Sequence, residues 1–434
     1  MTLVLPRVSP CRVTGAVTSV VGAEITVRGL RVRVGDTLAI HAESGQIPAE
    51  VVALGPDGAR ALLFGAADGI GTGDRVALRP GGLPVVLGDG VLGRVLDGLG
   101  RPIDDRPPPG GASVPLRSQR PDPLNRLRID TPLPVGVRVI DTLCTVGRGQ
   151  RIGLFGGSGV GKSTLLGMMA RGTEADVNVL ALIGERGREV REFIEDDLGP
   201  DGMARTIVVV ATSDEPALMR VRGAHLATRI AEWFAEQGRH VLLMMDSLTR
   251  LAMAQREVGL AAGEPVTSRG YTPSVFSMMA HLLEQAGPRR HGTVTGFYTV
   301  LVEGDDMNDP IADSSRAILD GHVVLDRRLA VADRYPAVDP LGSVSRLADK
   351  VVTPQRRGAA RRLQQALAAV EDVRDLVEVG AYVAGTNPDA DRGLAAAADI
   401  RRFLSQGSGE VAAFGDSWER LEHLAAALEG GGPS

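Results

Sequence analysis

The first eighty residues alternate. "GAVTSVVGAEITVRGLRVRVGDTLAI" sets apolar against polar positions with a period of two and breaks at Gly and Asp, and "AEVVALG", "ARALLFG" and "DRVALR" follow at close spacing. Short alternating runs with glycine turns predict a small β-barrel or sandwich over about residues 1–82. "RPIDDRPPPGGASVPLRSQRPDPLNR" is rich in Pro, Gly and Arg, and predicts an ordered excursion or linker without strand. From about Val139 the pattern changes. "RIGLFG", "VNVLALIG", "TIVVVAT", "HVLLMMD", "TVTGFYTVLV" and "GHVVLD" are continuously apolar and alternate with amphipathic stretches. Runs of this length suit strands buried on both faces, hence a mostly parallel sheet with helices around it. This α/β core is expected over 83–352. After it, "TPQRRGAARRLQQALAAVEDVRDLVEVGAY", "AADIRRFLSQ" and "WERLEHLAAALE" repeat apolar residues at three- and four-residue spacing, which predicts a helical domain over 353–434.

Composition narrows the function. The formal net charge of −5 and an aromatic content of 3 % argue against a nucleic-acid partner held by a basic face or a stacking platform. Cys11 and Cys144 alone make no disulfide scaffold, and no CxxC or HExxH spacing supports zinc. The start lacks the pattern of a signal peptide, and no run of about 18 apolar residues occurs. A cytoplasmic protein, peripheral to the membrane at most, is expected. Among 48 basic residues only Lys162 and Lys350 are lysines. One of the two stands where a compact ammonium serves and a planar guanidinium does not.

That place is the stretch Gly156-Gly157-Ser158-Gly159-Val160-Gly161-Lys162-Ser163, which fits GxxxxGK[ST] between a strand and a helix. Glycines let backbone N–H groups face phosphates, and a helix N-terminus adds positive charge. The pattern predicts a nucleoside triphosphate as ligand. Lys162 is expected on the β- and γ-phosphates, Ser163 on Mg²⁺, and Thr164 beside the neighbouring phosphate. Asp246 closes "HVLLMMD", at the carboxyl end of a buried strand where open α/β sheets hold ligands, and is expected to bind Mg²⁺ through its water. Glu185, just past another strand, can polarise the attacking water. It can equally be a helix-entry acid paired with Arg188 or Arg191. Arg186 can pair with a carboxylate or meet phosphate charge.

At these residues the chain resembles the catalytic subunits of hexameric rotary ATPases. "GGSGVGKST", "GERGREV", "LLMMDSLTR", "DDMNDPIADSSRAILDGH" and "YPAVDPLGSVSR" occur in that superfamily's order. Longer stretches, among them "TEADVNVLALIGERGREVREFIEDDLG", "VVVATSDEPALMRVR" and "FYTVLVEGDDMNDPIADSSRAILDGHVVLDRRLA", resemble the type III protein-export ATPases. "TSRGYTPSVF" and "VGAYVAGTNPDADRG" resemble the flagellar branch more than the injectisome branch. The resemblance implies a RecA-like P-loop core between a small β-barrel and C-terminal helices. It implies that Glu185 is the catalytic carboxylate with Arg186 beside it, that Arg346 in "GSVSR" is an arginine finger inserted into the next subunit's site, and that Tyr335 lies at the adenine. With Glu185 and Arg346 in one chain, a homohexamer is self-sufficient. The implied partners are export-gate membrane proteins, a stator-like regulator, a stalk protein, and export substrates with chaperones.

Three other functions are open. A proton-coupled ATP synthase catalytic subunit would have a partner gene for a mixed ring. An RNA-translocating helicase would show RNA-stimulated, salt-sensitive hydrolysis. A non-catalytic nucleotide scaffold would be indifferent to Glu185→Gln. The flagellar relatives carry an amphipathic helix ahead of the barrel that docks the regulator. Pro6 and Pro10 disfavour helix here, so docking through such an element is not expected.

Overall fold

A computed structural model describes residues 14–118, 122–302, 306 and 309–430. The segment holding Pro6 and Pro10 lies outside the described residues.

Six strands, β1 (Thr14–Val21), β2 (Glu24–Arg28), β3 (Thr37–Ala42), β4 (Gly45–Gly55), β5 (Gly58–Leu63) and β6 (Arg75–Leu78), close into an antiparallel barrel in the order β1-β2-β5-β4-β3-β6. Alternation explains it: Ile25, Leu38, Ile40, Val51, Leu63 and Val76 point inward and are fully buried, while the intervening residues face outward.

The excursion that follows differs from its expectation. β7 (Val85–Leu87) pairs with β9 (Ala112–Val114), inside the Pro/Gly-rich stretch, and β8 (Val95–Asp97) joins the edge of the central sheet. Short strands of three residues leave little periodic signal. The intervening chain is held by a buried fork: Arg94 Nε lies 2.6 Å from Asp104 Oδ2. The guanidinium beside it, hydrogen-bonded through two nitrogens, holds the Asp104 carboxyl far below the usual carboxylate range.

The central sheet is completed by β10 (Arg151–Gly156), β11 (Val177–Ile183), β12 (Thr206–Ala211), β13 (His240–Asp246), β14 (Gly287–Pro288), β15 (Thr293–Leu301), β16 (Gly321–Leu325) and β17 (Val338–Ser345). Its order is β17-β16-β10-β15-β13-β11-β12-β8, with β14 beside β15. The strands from β16 to β8 run parallel, and β17 closes one edge antiparallel. Every residue of β11 and β12 is buried, because helices cover both faces. On one face Leu154, Leu180 and Met244 meet the helix Lys162–Gly172 and the tail residues Leu363, Trp418 and Leu421. On the other, Phe155, Val179 and Leu243 meet Ile230 and Phe234 of the helix Ala217–Glu236. The tail, helices Pro354–Glu378, Pro388–Ala395, Ala397–Leu404 and Phe414–Gly430, thus shares a core with the sheet. Among the described residues no helix is long and apolar enough to cross a membrane.

Candidate nucleotide site

β10 delivers the chain to the carboxyl edge of the sheet, where it turns through Gly157–Gly161 into the helix Lys162–Gly172. The turn needs glycine where the backbone enters the left-handed region, at Gly159 (φ +77) and Gly161 (φ +87). Val160 is buried and pins the loop to the core, while Ser158 and Gly159 are exposed. Lys162 is 8 % exposed, and its Nζ donates to the carbonyls of Gly156, at 3.0 Å, and Gly157. Burial lowers its pKa, against the opposing pull of the Asp246 and Glu185 carboxylates. Ser163 is exposed and Thr164 half-buried in the first helical turn. A glycine-rich loop that opens a helix N-terminus, a buried ammonium and an exposed hydroxyl fit a nucleotide phosphate with its metal. Tyr335 leans over this loop: a Cβ placed on Gly161 would be 3.5 Å from its Cε1. The ring is half-exposed, and its backbone carbonyl accepts from the Gln406 N–H at 2.9 Å.

Two carboxylates face the loop from neighbouring strands. Asp246 ends β13, buried, and its Oδ1 accepts from Thr299 Oγ1 at 2.6 Å. Burial raises its pKa, while the Thr299 bond and the Lys162 charge oppose the rise. Glu185 follows β11. It pairs neither with Arg188 nor with Arg191. Its Oε1 lies 3.1 Å from Arg250 Nε. Burial first and the Asp246 charge second push Glu185 up to about 7, against the opposing Arg250 cation.

The local sequence explains that pair. Ser247 caps the helix Leu248–Ala262, its side chain accepting from Arg250 N–H at 3.3 Å, which fixes Arg250 in the first turn. Its side chain crosses to the β11 end, donates to the Gly184 carbonyl and packs over that residue. A Cβ on Gly184 would stand 2.9 Å from Arg250 Cβ, and φ there is +76, so the residue before Glu185 has to be glycine.

Arg186 does not join this cluster. It is exposed and bonds Glu189 Oε1 at 3.2 Å. Arg346 lies elsewhere again. It is exposed at the end of β17, its backbone N–H donates to Asp320 and its side chain to the Arg316 carbonyl at 3.0 Å. Asp320 holds Arg151, the first residue of β10. At about 3.3 Å rise per residue, the run from Arg151 to Gly156 places Arg346 roughly 16 Å from its own loop. The structure therefore brings Lys162, Asp246, Glu185 and Tyr335 together and keeps Arg346 on the opposite edge of the sheet.

Arg250, Thr299 and Gln406 escape the reading of the sequence. Arg250 carried a usable signal, since it stands one helical turn after the strand-end Asp246. Thr299 is one of three threonines in the run of β15, and Gln406 is the polar last residue of "AADIRRFLSQ", whose period speaks only for its apolar positions.

Comparison with known proteins agrees with this geometry. Residues 136–345 match the model of the ATP synthase alpha/beta family, nucleotide-binding domain, and residues 352–423 that of the T3SS EscN ATPase C-terminal domain. The flagellum-specific ATP synthase of Bacillus subtilis (strain 168) is 49 % identical over 414 residues, 94 % of this chain and 94 % of that protein. The type 3 secretion system ATPase of Xanthomonas euvesicatoria is 48 % identical over 413 residues, 94 % of this chain and 93 % of that one. Among solved structures, the assembled ATPase EscN of the enteropathogenic E. coli type III secretion system superposes with a TM-score of 0.90 at 43 % identity, covering 95 % of this chain and 100 % of that one. By sequence over 94 % of its length and by fold, the chain belongs to the ATP synthase alpha/beta family, in the group of flagellum-specific ATP synthases and type III secretion ATPases, and is an ATP-hydrolysing enzyme.

Proposed function

We propose that this ATPase is a homohexameric motor for type III export of flagellar proteins, which unloads substrates from their chaperones and delivers them to the export gate. The observation that carries the reading is the separation of Arg346 from Glu185 within one chain. A site with its catalytic carboxylate at one edge of the sheet and its finger at the other is completed by a second copy. A relative has been solved as an assembled ATPase and in complex with its central stalk EscO, which supports a ring around a stalk here. "TSRGYTPSVF" and "VGAYVAGTNPDADRG" favour the flagellar branch. We take 1–82, 83–352 and 353–434 as barrel, nucleotide core and helical domain.

In this reading the loop Gly157–Gly161 and Thr164 cradle the phosphates with backbone N–H groups and hydroxyl, and Tyr335 stacks at the adenine. Lys162 leaves the Gly156 and Gly157 carbonyls for the β- and γ-phosphates. Ser163 and Asp246 would hold Mg²⁺, which would supply charge neutralisation to the phosphates. Glu185 polarises the attacking water, for which a pKa near 7 is apt. Arg250 keeps the Glu185 carboxylate in place. Arg186, with Glu189, edges the pocket, and the neighbouring subunit's copy of Arg346 meets the charge that develops on the transferred phosphoryl group.

The test is Lys162→Ala at the native locus, with filaments counted per cell and secreted proteins profiled. Lost filaments with unexported hook and filament subunits are expected. Normal filaments with another set of secreted proteins missing would move the chain to an injectisome.

A further inference from the structure

Thr299 is a polar residue where the fold asks for an apolar one. It lies in the middle of the central sheet, on β15, in register with Leu154 of the loop-bearing strand, and it is fully buried. Its neighbours Tyr298 and Val300 are equally buried and pack into the opposite core. A hydroxyl taken into such surroundings costs stability unless it is bonded. Two acceptors are in reach, and they are unequal. The Met245 carbonyl is 3.4 Å away, and Asp246 Oδ1 is at 2.6 Å. A hydroxyl has a single proton, so the shorter contact takes it. That distance is the length of an O–H···O⁻ bond to an ionised carboxylate.

The bond has a directional consequence. An aspartate has one free rotation at the end of its side chain, and a donor fixed by the sheet on Oδ1 settles it. Oδ2 is the oxygen that this bond does not take, and the Lys162 charge acts on the carboxylate. The anchor is rigid, because β13 and β15 are adjacent parallel strands in continuous register. A second hydroxyl repeats the tie one step on: Thr249 Oγ1 accepts from Leu301 N–H at 2.9 Å, joining the helix after Asp246 to the end of β15.

We propose that Thr299 is a positioning residue for the metal: its hydroxyl holds the Asp246 carboxylate in the orientation that presents its second oxygen to the metal's water shell. The inference rests on the reading that Asp246 holds Mg²⁺, and the experiment separates the two. Mn²⁺, followed by its electron paramagnetic resonance, is titrated into the full chain saturated with a non-hydrolysable ATP analogue. Nucleotide affinity without metal is measured in EDTA with a fluorescent analogue. Thr299→Val should weaken Mn²⁺ binding about tenfold, the size of one lost charge-assisted hydrogen bond. Metal-free nucleotide affinity should stay within about twofold, and Thr299→Ser should restore Mn²⁺ binding. Should the valine variant not fold, Thr299→Ala, equally without a donor, replaces it. If Thr299→Val binds Mn²⁺ as the parent does while Asp246→Asn does not, Thr299 only fills space and the proposal is overturned. It is likewise overturned if metal-bound and metal-free affinities fall together and serine restores neither. If Asp246→Asn itself binds Mn²⁺ normally, the metal reading fails first.

Discussion

Replacing Arg250 by Gln should move the acid limb of the pH–rate profile upward, leaving its shape unchanged. In the proposed role Glu185 serves as a base only when ionised, so the rate should fall about tenfold per unit below its pKa, which burial and the Asp246 charge push up to about 7. Arg250 is the cation that restrains this value, with Nε 3.1 Å from Oε1. Taking about 4 Å between charge centres and an effective dielectric of about 20, the attraction is about 4 kcal/mol. At 1.36 kcal/mol per unit this sets a ceiling near three pK units. Two features bring it lower. The Nε hydrogen is not aimed at a hydrogen-bond acceptor, so the contact is an ion pair without the directional bond. The Arg250 side chain is also 30 % exposed, and solvent screens it. An upward shift of about one to two units remains, from about 7 to between about 8 and 9. The assay is kcat/KM for Mg-ATP by direct phosphate release between about pH 5.5 and 9.5. A lower plateau is expected as well, but the position of the limb is independent of it. Glu185→Gln should erase the limb together with most of the rate. A limb that stays at 7 in Arg250→Gln, or moves to lower pH, would refute the electrostatic account of this site.

Other outcomes follow from the same geometry. Because folding raises the Glu185 pKa above its unfolded value, the ionised carboxylate destabilises the fold once pH exceeds the unfolded value, fully so above about 7; Glu185→Gln should therefore raise the melting temperature at pH 8 and not at pH 4, and an unchanged melting temperature at pH 8 would contradict the burial argument. Arg346→Ala should bind nucleotide normally and lose about 10³-fold or more in hydrolysis. Mixed with Lys162→Ala, also inactive alone, it should regain activity, since some sites then combine an intact loop with an intact finger; mixtures that stay inactive at every ratio would argue against a shared site. Tyr335→Ala should raise KM for ATP several-fold with kcat little changed, and Tyr335→Phe should behave as the parent.

The sequence made contiguous features plain and left distributed ones hidden. The loop of Gly157 to Lys162 is a local backbone device, so its letters are its structure. The mostly apolar β11 and β12 marked a sheet covered on both faces, and the barrel showed in the alternation from Gly15 onward. Glu185 was visible as a strand-end acid, but its partner Arg250 sits on a different strand–helix unit, and only the parallel adjacency of β11 and β13 brings the two together. Thr299 was masked by the apolar run that buries it. β9 was hidden because three residues among prolines and glycines carry no period, and its pairing with β7 is a tertiary fact. Arg346 shows the limit from the other side: as an isolated arginine after a strand it says nothing, and its place became readable only through the family's motif order.

Gln406 ties distant parts of the chain to one point. Its N–H holds the Tyr335 carbonyl, its Oε1 accepts from the Arg138 N–H at 2.8 Å, and its Nε2 donates to the carbonyls of Gly136 and Glu410. The chain at Tyr335, the entry to the sheet and the turn between the last two helices thus meet at a single buried amide. Coupling of this kind runs in both directions. Whatever grips the terminal helices more firmly in one nucleotide state must change the affinity for nucleotide by the same factor, so a partner on the tail that distinguishes the nucleotide states would throttle ATP binding from the end that holds no phosphate.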